Sequence, residues 1–104
     1  MTPAVLHILL SLVAEDRHGL GIAADVKDFT QGRLTLGPGT LYGTIKRLLD
    51  AGLIQDLGSP QDGEDDDPRR RYYRITPKGR RALEAETEGL ASVLGVARRR
   101  LKTS

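Results

Sequence analysis

Two groups of side chains in this sequence have the types and spacing needed to hold phosphate oxygens. The first follows the turn Gly37-Pro38-Gly39, where small, hydroxyl and basic residues alternate with leucine and isoleucine. Glycine lets a helix backbone approach a ligand closely, and hydroxyl groups in a first helical turn lie beside free backbone amides that favour anions. The candidate binding residues of this segment are Gly39, Thr40, Tyr42, Gly43, Thr44, Lys46 and Arg47. The alternative is that Tyr42 packs at the edge of the core and that Lys46 and Arg47 form an ordinary solvated face.

The second group is the run from Arg69 to Arg74, in which arginines surround two tyrosines. Strand alternation predicts a buried Tyr73 beneath an exposed basic face. Arginines on such a strand can bind backbone phosphates or enter a narrow minor groove. The binding candidates here are Arg69, Arg70 and Arg71. The alternative is that these arginines pair with the acidic run from Glu64 to Asp67.

Other kinds of chemistry lack a complete residue set. The chain has no cysteine, and its two histidines, His7 and His18, have no convincing third metal ligand. The acidic loop from Asp62 to Asp67 does not match a calcium loop, which needs a glycine at its sixth position and a closing glutamate at its twelfth. The segment from Gly19 to Ala24 matches a dinucleotide fingerprint, but that motif needs a strand of a parallel sheet before it, and the chain offers a capped helix there and no room for such a sheet. We therefore expect no catalytic residue, no metal and no cofactor.

The elements that must position these residues belong to one small domain. The chain has 104 residues and a formal net charge of +2, which favours a single thin core over two domains or a disordered chain. Its apolar run from Ala4 to Ala14 is shorter than the roughly 20 residues that a membrane helix needs. With no cysteine and no secretion signal, the sequence predicts a soluble, cytoplasmic protein.

Hydrophobic periodicity and turn residues predict the element order. The expected elements are a helix from Pro3 to Asp16 capped by Thr2, a helix over Leu20 to Phe29, a very short strand from Leu34 to Leu36, a helix over 38–51, a hairpin of Leu53 to Leu57 with Arg71 to Ile75, and a final helix after Thr76-Pro77. This order is mainly α with a small β-hairpin, and it is that of a winged helix-turn-helix. In such a fold the helix over 38–51 lies in the DNA major groove, and the hairpin is the wing.

Two apolar surfaces exceed what one subunit's core requires. Leu6 and Leu10 lie on a different side of the first helix from Val5 and Leu9, and the leucines of the last helix have no remaining partner in the chain. We therefore expect a homodimer. Its interface residues would be Leu6, Leu10, Leu83, Leu90, Leu94 and Leu101. Residues 1–76 would form the winged helix-turn-helix DNA-binding domain and residues 77–104 a dimerisation helix.

Four stretches give the sequence its resemblance to a known family. They are His18-Gly19-Leu20 with Ile22, LGPGTLYGTIKRL from Leu36 to Leu48, DAGLI from Asp50 to Ile54, and RRRYYRITPKGRRAL from Arg69 to Leu83. The sequence resembles the PadR family of bacterial transcriptional regulators, in its short branch with a single C-terminal helix. The resemblance implies a dimeric winged-helix repressor in which Thr40, Tyr42 and Lys46 face DNA and Arg70 serves the wing. Family members commonly have an aromatic residue at the position of Leu20. This chain has leucine there and no tryptophan anywhere, so it lacks the aromatic residues with which related short members line a drug-binding cavity.

These patterns favour a sequence-specific DNA-binding transcriptional regulator, a repressor acting as a homodimer on a palindromic operator. The partners expected are double-stranded DNA and a second copy of the chain, with a small-molecule effector left open by the resemblance. An activator is an open alternative to a repressor. A winged-helix module for protein-protein interaction is the alternative from another class, with the acidic loop and the basic strand as docking surfaces.

Overall fold

The computed structural model describes residues 1–59 and 70–103. Its elements are α1 (Pro3–Ala14), β1 (Arg17–His18), α2 (Gly19–Phe29), α3 (Pro38–Asp50), β2 (Ile54–Gly58), β3 (Tyr72–Ile75) and α4 (Pro77–Thr103). Thr2 caps α1 as expected, because its hydroxyl accepts a hydrogen bond of 3.2 Å from the Val5 amide. This mainly helical arrangement with a small antiparallel sheet confirms the expected fold class.

The sheet has three antiparallel strands in the order β1-β3-β2. β3 lies in the centre, with Tyr73 opposite both Arg17 of β1 and Asp56 of β2. The register shifts between Asp56 and Gly58, which leaves one extra residue on β2. Gly58 has a φ of +79° in this bulge, a value that glycine adopts without steric cost.

The third strand is not where the sequence predicted it. Leu34 to Leu36 forms no strand, and Leu36 is instead buried against the core in the connection between α2 and α3. The strand is Arg17-His18, two polar residues that the predicted elements left between the first two helices. The alternating leucines therefore indicated a buried segment and not a strand. A pattern over three residues does not show whether another backbone segment lies beside it to form hydrogen bonds.

One hydrophobic core joins the helices to the sheet. It contains the buried residues Ile8, Leu9, Leu12, Ile22, Val26, Leu36, Leu41, Ile45, Leu48, Ile54, Tyr73 and Leu83. Tyr73 is 3% exposed, which confirms its predicted burial. Leu83 is also buried, so the expectation that it belongs to an uncovered leucine stripe is wrong. The first turns of α4 pack on the subunit's own core, and Leu83 lies within that contact.

Beyond this contact α4 extends past the rest of the molecule. The chain's amino terminus lies 3.4 Å from the Glu86 carboxylate, and large apolar residues further along α4 are exposed. Leu90 is 45% exposed, Leu94 49% and Leu101 74%. On α1, Leu6 and Leu10 are half-buried and pack against the core.

Candidate nucleic-acid interface

Helix α3 has one buried and one exposed side. Leu41, Ile45 and Leu48 are each 2% exposed and attach the helix to the core. The exposed side is formed by five of the candidate residues, namely Gly39, Thr40, Gly43, Lys46 and Arg47. Five of the seven candidates on α3 are therefore exposed, as a DNA-facing role requires, and their contact with DNA stays a prediction.

The start of α3 is open to a ligand. Gly37 is the N-cap residue and makes no side-chain cap hydrogen bond, and Pro38 follows in the first turn. A Cβ atom built on Gly39 or on Gly43 would meet nothing within 4 Å. The glycines are thus not needed for packing within the subunit. Their value lies in leaving the helix backbone accessible, beside amides that carry the positive end of the helix dipole.

Thr44 does not belong to this exposed side. It is 0% exposed, and its hydroxyl accepts a hydrogen bond of 3.2 Å from Arg47 Nη2. The expectation that its side chain faces DNA is wrong. Its positions relative to Leu41 and Leu48, three and four residues away, place it on the buried stripe, and this spacing was readable in the sequence.

Tyr42 also departs from expectation, because its hydroxyl oxygen is buried. Its ring lies against the start of α2, where a Cβ atom on Gly19 would stand 2.7 Å from Tyr42 Cε1. The expectation that this hydroxyl extends toward DNA is therefore wrong. Tyr42 instead packs α3 against α2, and Gly19 is small enough to admit the ring.

The arginines next to the wing differ in their contacts. Arg70 is exposed, whereas Arg71 is half-buried and forms an ion pair of 3.2 Å with Asp56 of β2. Arg74 donates three hydrogen bonds to the Asp16 carboxylate: from Nε at 3.1 Å to Oδ1 and 3.2 Å to Oδ2, and from Nη2 at 2.7 Å to Oδ2. Arg69 and the acidic run lie outside the described residues, so the pairing expected between that run and the arginines stays a prediction.

Two of these groups have pKa values that follow from their contacts. The hydrogen bonds from Arg74 hold the pKa of Asp16 below its ordinary value of 3.8. Burial, followed by the nearby charge of Asp56, raises the pKa of the Tyr73 phenol above 10.0. Near neutral pH, Asp16 is therefore ionised and the Tyr73 phenol is neutral.

The carboxyl end of α3 is held by the first turn of α4. Gly52, with a φ of +74°, ends α3, and the Leu53 amide donates to the Leu48 carbonyl at 3.0 Å. This Schellman-type end leaves the carbonyls of Ala51 and Gly52 without helical partners. Lys78 Nζ donates to the Ala51 carbonyl at 2.8 Å.

Thr76 completes this junction between the two helices. Its hydroxyl donates to the Gly52 carbonyl at 2.6 Å and accepts from the Gly79 amide at 3.1 Å. Sequence reasoning recognised Thr76 only as a cap and missed Lys78. A signal was present, because a lysine in a first helical turn opposes its own helix dipole and so indicates an acceptor elsewhere.

His18 connects the sheet to α2. Its Nδ1 accepts a hydrogen bond of 2.9 Å from the Gly21 amide and thereby caps the helix. Its ring also meets the edge of Tyr72, with centroids 5.4 Å apart. This role was not predicted from the sequence, because histidine is not among the preferred N-caps.

Neither a metal-binding group nor a membrane span is found in the described part of the chain. Within 1–59 and 70–103, no three His, Cys, Asp or Glu side chains come together as a metal-binding group would. Over the same residues, no helix combines the length and the apolar character that crossing a bilayer requires.

The fold and the exposed face of α3 together define a winged helix-turn-helix protein of the transcription-regulator class. The family model described as "Transcriptional regulator PadR-like family" matches residues 5–85. The chain belongs to this family, whose members are transcriptional regulators and not enzymes.

Relatives and solved structures agree with this membership. The transcriptional regulator Rv3488 of Mycobacterium tuberculosis is 34% identical over 82% of this chain and 73% of its own length. An uncharacterized 37.1 kDa transposon protein of Streptomyces fradiae is 33% identical over 88% of this chain, which spans only 24% of that protein.

Among solved structures, a PadR family transcription regulator from Clostridium difficile has a TM-score of 0.79 and 26% identity, with 96% of this chain and 99% of that one covered. Bacillus subtilis PadR, solved in complex with operator DNA, has a TM-score of 0.68 and 20% identity, with 80% of this chain and 45% of that one covered. At this identity the second structure shows a shared fold.

Proposed function

We propose that this protein is a sequence-specific DNA-binding repressor that places α3 in a major groove. The observation that carries the proposal is the composition of the exposed face of α3. Thr40, Lys46 and Arg47 lie there beside two glycines that have no role in packing. The operator complex of Bacillus subtilis PadR, which has the same fold, supports this use of the fold.

The residues proposed to contact DNA are those that remain exposed. On α3 they are Gly39, Thr40, Gly43, Lys46 and Arg47, with Arg70 at the wing. Lys46 and Arg47 lie more than two turns beyond the open helix start at Pro38, about 12–13 Å along the helix axis, so they would reach different backbone phosphates from those at the helix start. Arg71 is a weaker candidate, because Asp56 already neutralises its charge.

We further propose that the protein acts as a homodimer on a palindromic operator. Residues 1–76 are the proposed DNA-binding domain, and residues 77–104 are the proposed dimerisation helix. Support comes from the exposure of Leu90, Leu94 and Leu101, because a surface of this kind is costly to leave in water. A small-molecule effector bound between α1 and α4 would act by changing the distance between the two α3 helices.

The salt dependence of binding to an operator selected from random duplexes tests the contact with DNA. Lys46→Ala should weaken binding to operator and random DNA alike. It should also lower the slope of log affinity against log salt by about one unit for each phosphate interaction that it removes, or about two per dimer.

Lys102→Ala is the matched control, because it removes the same charge from the last turn of α4, away from α3. Equal salt slopes for the parent and Lys46→Ala would refute the assignment of Lys46. A parent that binds neither random DNA nor any selected duplex would instead favour the protein-interaction alternative.

A further inference from the structure

Three successive backbone carbonyls follow the end of α3, and each accepts a hydrogen bond from the start of α4. The Ala51 carbonyl accepts from Lys78 Nζ at 2.8 Å. The Gly52 carbonyl accepts from the Thr76 hydroxyl at 2.6 Å, and the Leu53 carbonyl accepts from the Thr76 amide at 3.0 Å. We infer that Lys78 is a positioning residue, which fixes the direction of α3 and thereby the preference of the protein for its operator. This inference rests on the proposed function, in which α3 lies in a major groove.

The contacts of Lys78 favour α3 over its own helix. An ammonium group in the first turn of α4 opposes the dipole of α4, whereas at the carboxyl end of α3 the helix dipole favours a cation. The stem of the side chain passes over Gly52, where an added Cβ atom would lie 3.9 Å from Lys78 Cδ. Lys78 therefore reaches from α4 across the end of α3, and its electrostatic gain lies there.

Hydrogen bonds connect this contact to the exposed side of α3. Ala51 is the C-cap residue, and its amide donates to the Arg47 carbonyl at 3.0 Å. Arg47 in turn donates from Nη2 to the buried Thr44 hydroxyl at 3.2 Å. The last turn of α3, which carries one of the proposed DNA contacts, is thus held by Lys78 at its end and by Thr44 on its buried side.

The other end of α3 has a different anchor. There the Tyr42 ring packs against Gly19 at the start of α2. An apolar stripe alone leaves the direction of a helix loosely defined, because crossing angles scatter by about 15–20° within one packing class. A tilt of about 10° about the middle of this 13-residue helix would move each end by about 1.7 Å. Contacts with two different neighbours, one near each end, oppose such a tilt.

A displacement of this size affects the two kinds of DNA contact differently. A hydrogen bond to a base edge is lost when donor and acceptor move apart by more than a few tenths of an ångström. Long basic side chains can follow a phosphate over the same distance, and the attraction between charges changes little. Loss of the Lys78 contact should therefore weaken binding to the operator more than binding to random DNA.

The ratio of the affinities for the selected operator and for a random duplex, at one salt concentration, measures this effect. Lys78→Met removes the ammonium group and keeps most of the stem. It should lower the ratio about tenfold, the loss expected for one good base contact. Lys78→Arg, which keeps a charge and a donor, should stay within about threefold of the parent.

Arg81→Met is the matched control for charge. Arg81 is exposed and lies three residues beyond Lys78 on α4, so this variant loses the same charge without losing the hydrogen bond to Ala51. Its affinity ratio should stay within about threefold of the parent, and its salt slope should equal that of Lys78→Met. The urea midpoint of each variant is measured as well, because unfolding reduces the binding of both duplexes equally and leaves the ratio unchanged.

Amide hydrogen exchange examines the same contact without DNA. The amides of Ala51 and Leu53 close the last turn of α3. In Lys78→Met they should exchange about three to ten times faster than in the parent, as expected when one hydrogen bond that holds a helix end is lost. In Arg81→Met their exchange should match that of the parent.

The outcomes separate this inference from the proposed function. A parent that prefers its operator, with an unchanged ratio or unchanged exchange in Lys78→Met, overturns the positioning role and leaves the proposed function standing. A lower salt slope in Lys78→Met than in Arg81→Met also overturns it, because Lys78 would then bind a phosphate directly. A parent with no preference for any selected duplex overturns both. Contact between α3 and DNA is tested separately by Lys46→Ala.

Discussion

Gly79 is the residue at which the junction between α3 and α4 should be most sensitive to a small change. A Cβ atom at this position would overlap the Leu53 carbonyl oxygen and stand 2.9 Å from Ile75 Cγ1. The obstructing oxygen belongs to the backbone just after α3 and cannot move aside as the end of a flexible side chain can. Gly79→Ala must therefore push α4 away from α3 and weaken the hydrogen bonds of Thr76 and Lys78.

The magnitude follows from two opposing effects. Overpacking of this kind costs about 1–3 kcal/mol, and a backbone obstacle favours the upper end. Alanine regains about 1 kcal/mol of helix propensity. The net expectation for Gly79→Ala is a loss of about 1–2 kcal/mol of unfolding free energy, or a fall in Tm of about 5–15 °C for a domain of this size.

Gly89 of the same helix provides the matched control. A Cβ atom there meets nothing within 4 Å, so Gly89→Ala should raise the unfolding free energy by about 0.5–1 kcal/mol. Urea denaturation at one protomer concentration measures both variants, since the proposed dimerisation would make stability depend on concentration. If the two substitutions shift the urea midpoint in the same direction by similar amounts, the junction is not tightly packed and the reasoning is refuted.

Three further predictions concern the sheet and its neighbours. His18→Ala should lower the unfolding free energy by about 1 kcal/mol because the α2 cap is lost, whereas His18→Asn should keep most of the stability that the cap provides. Equal losses for the two variants in urea denaturation would contradict the capping role of His18. Burial raises the pKa of Tyr73 in the folded state. The stability that the neutral phenol contributes is therefore present below pH 10.0 and is lost as the pH rises through the pKa of the folded state. Tyr73→Phe should flatten that alkaline decline in the urea midpoint, and an unchanged decline would count against burial as its cause. Arg74 lowers the pKa of Asp16, so the stability that Asp16 contributes is present above pH 3.8 and is lost as the pH falls through the pKa of the folded state. Asp16→Asn should therefore make the loss of stability at acid pH less steep. An unaltered acid dependence would assign that loss to other carboxylates.

Much of the fold could be read from local patterns. The Thr2 cap, the Leu41, Ile45 and Leu48 stripe and the glycine after α3 each follow from residues a few positions apart, and the structure contains all three. Local spacing also indicated the burial of Thr44, although its hydroxyl suggested a binding role. The error there came from weighing residue type above position on the helix.

The sequence by itself determined the family, the order of helices and most of the exposed face of α3, because these depend on periodicity and on motifs within short segments. Only the tertiary structure decided the contacts between distant segments, such as Arg74 with Asp16, 58 residues apart, and the packing of Tyr42 on Gly19. The hydrogen bond from Lys78 to the Ala51 carbonyl at the end of α3 is another such contact. Such contacts depend on how helices and strands lie against one another, and that arrangement is set by the packing of the whole core rather than by the neighbours of any one residue.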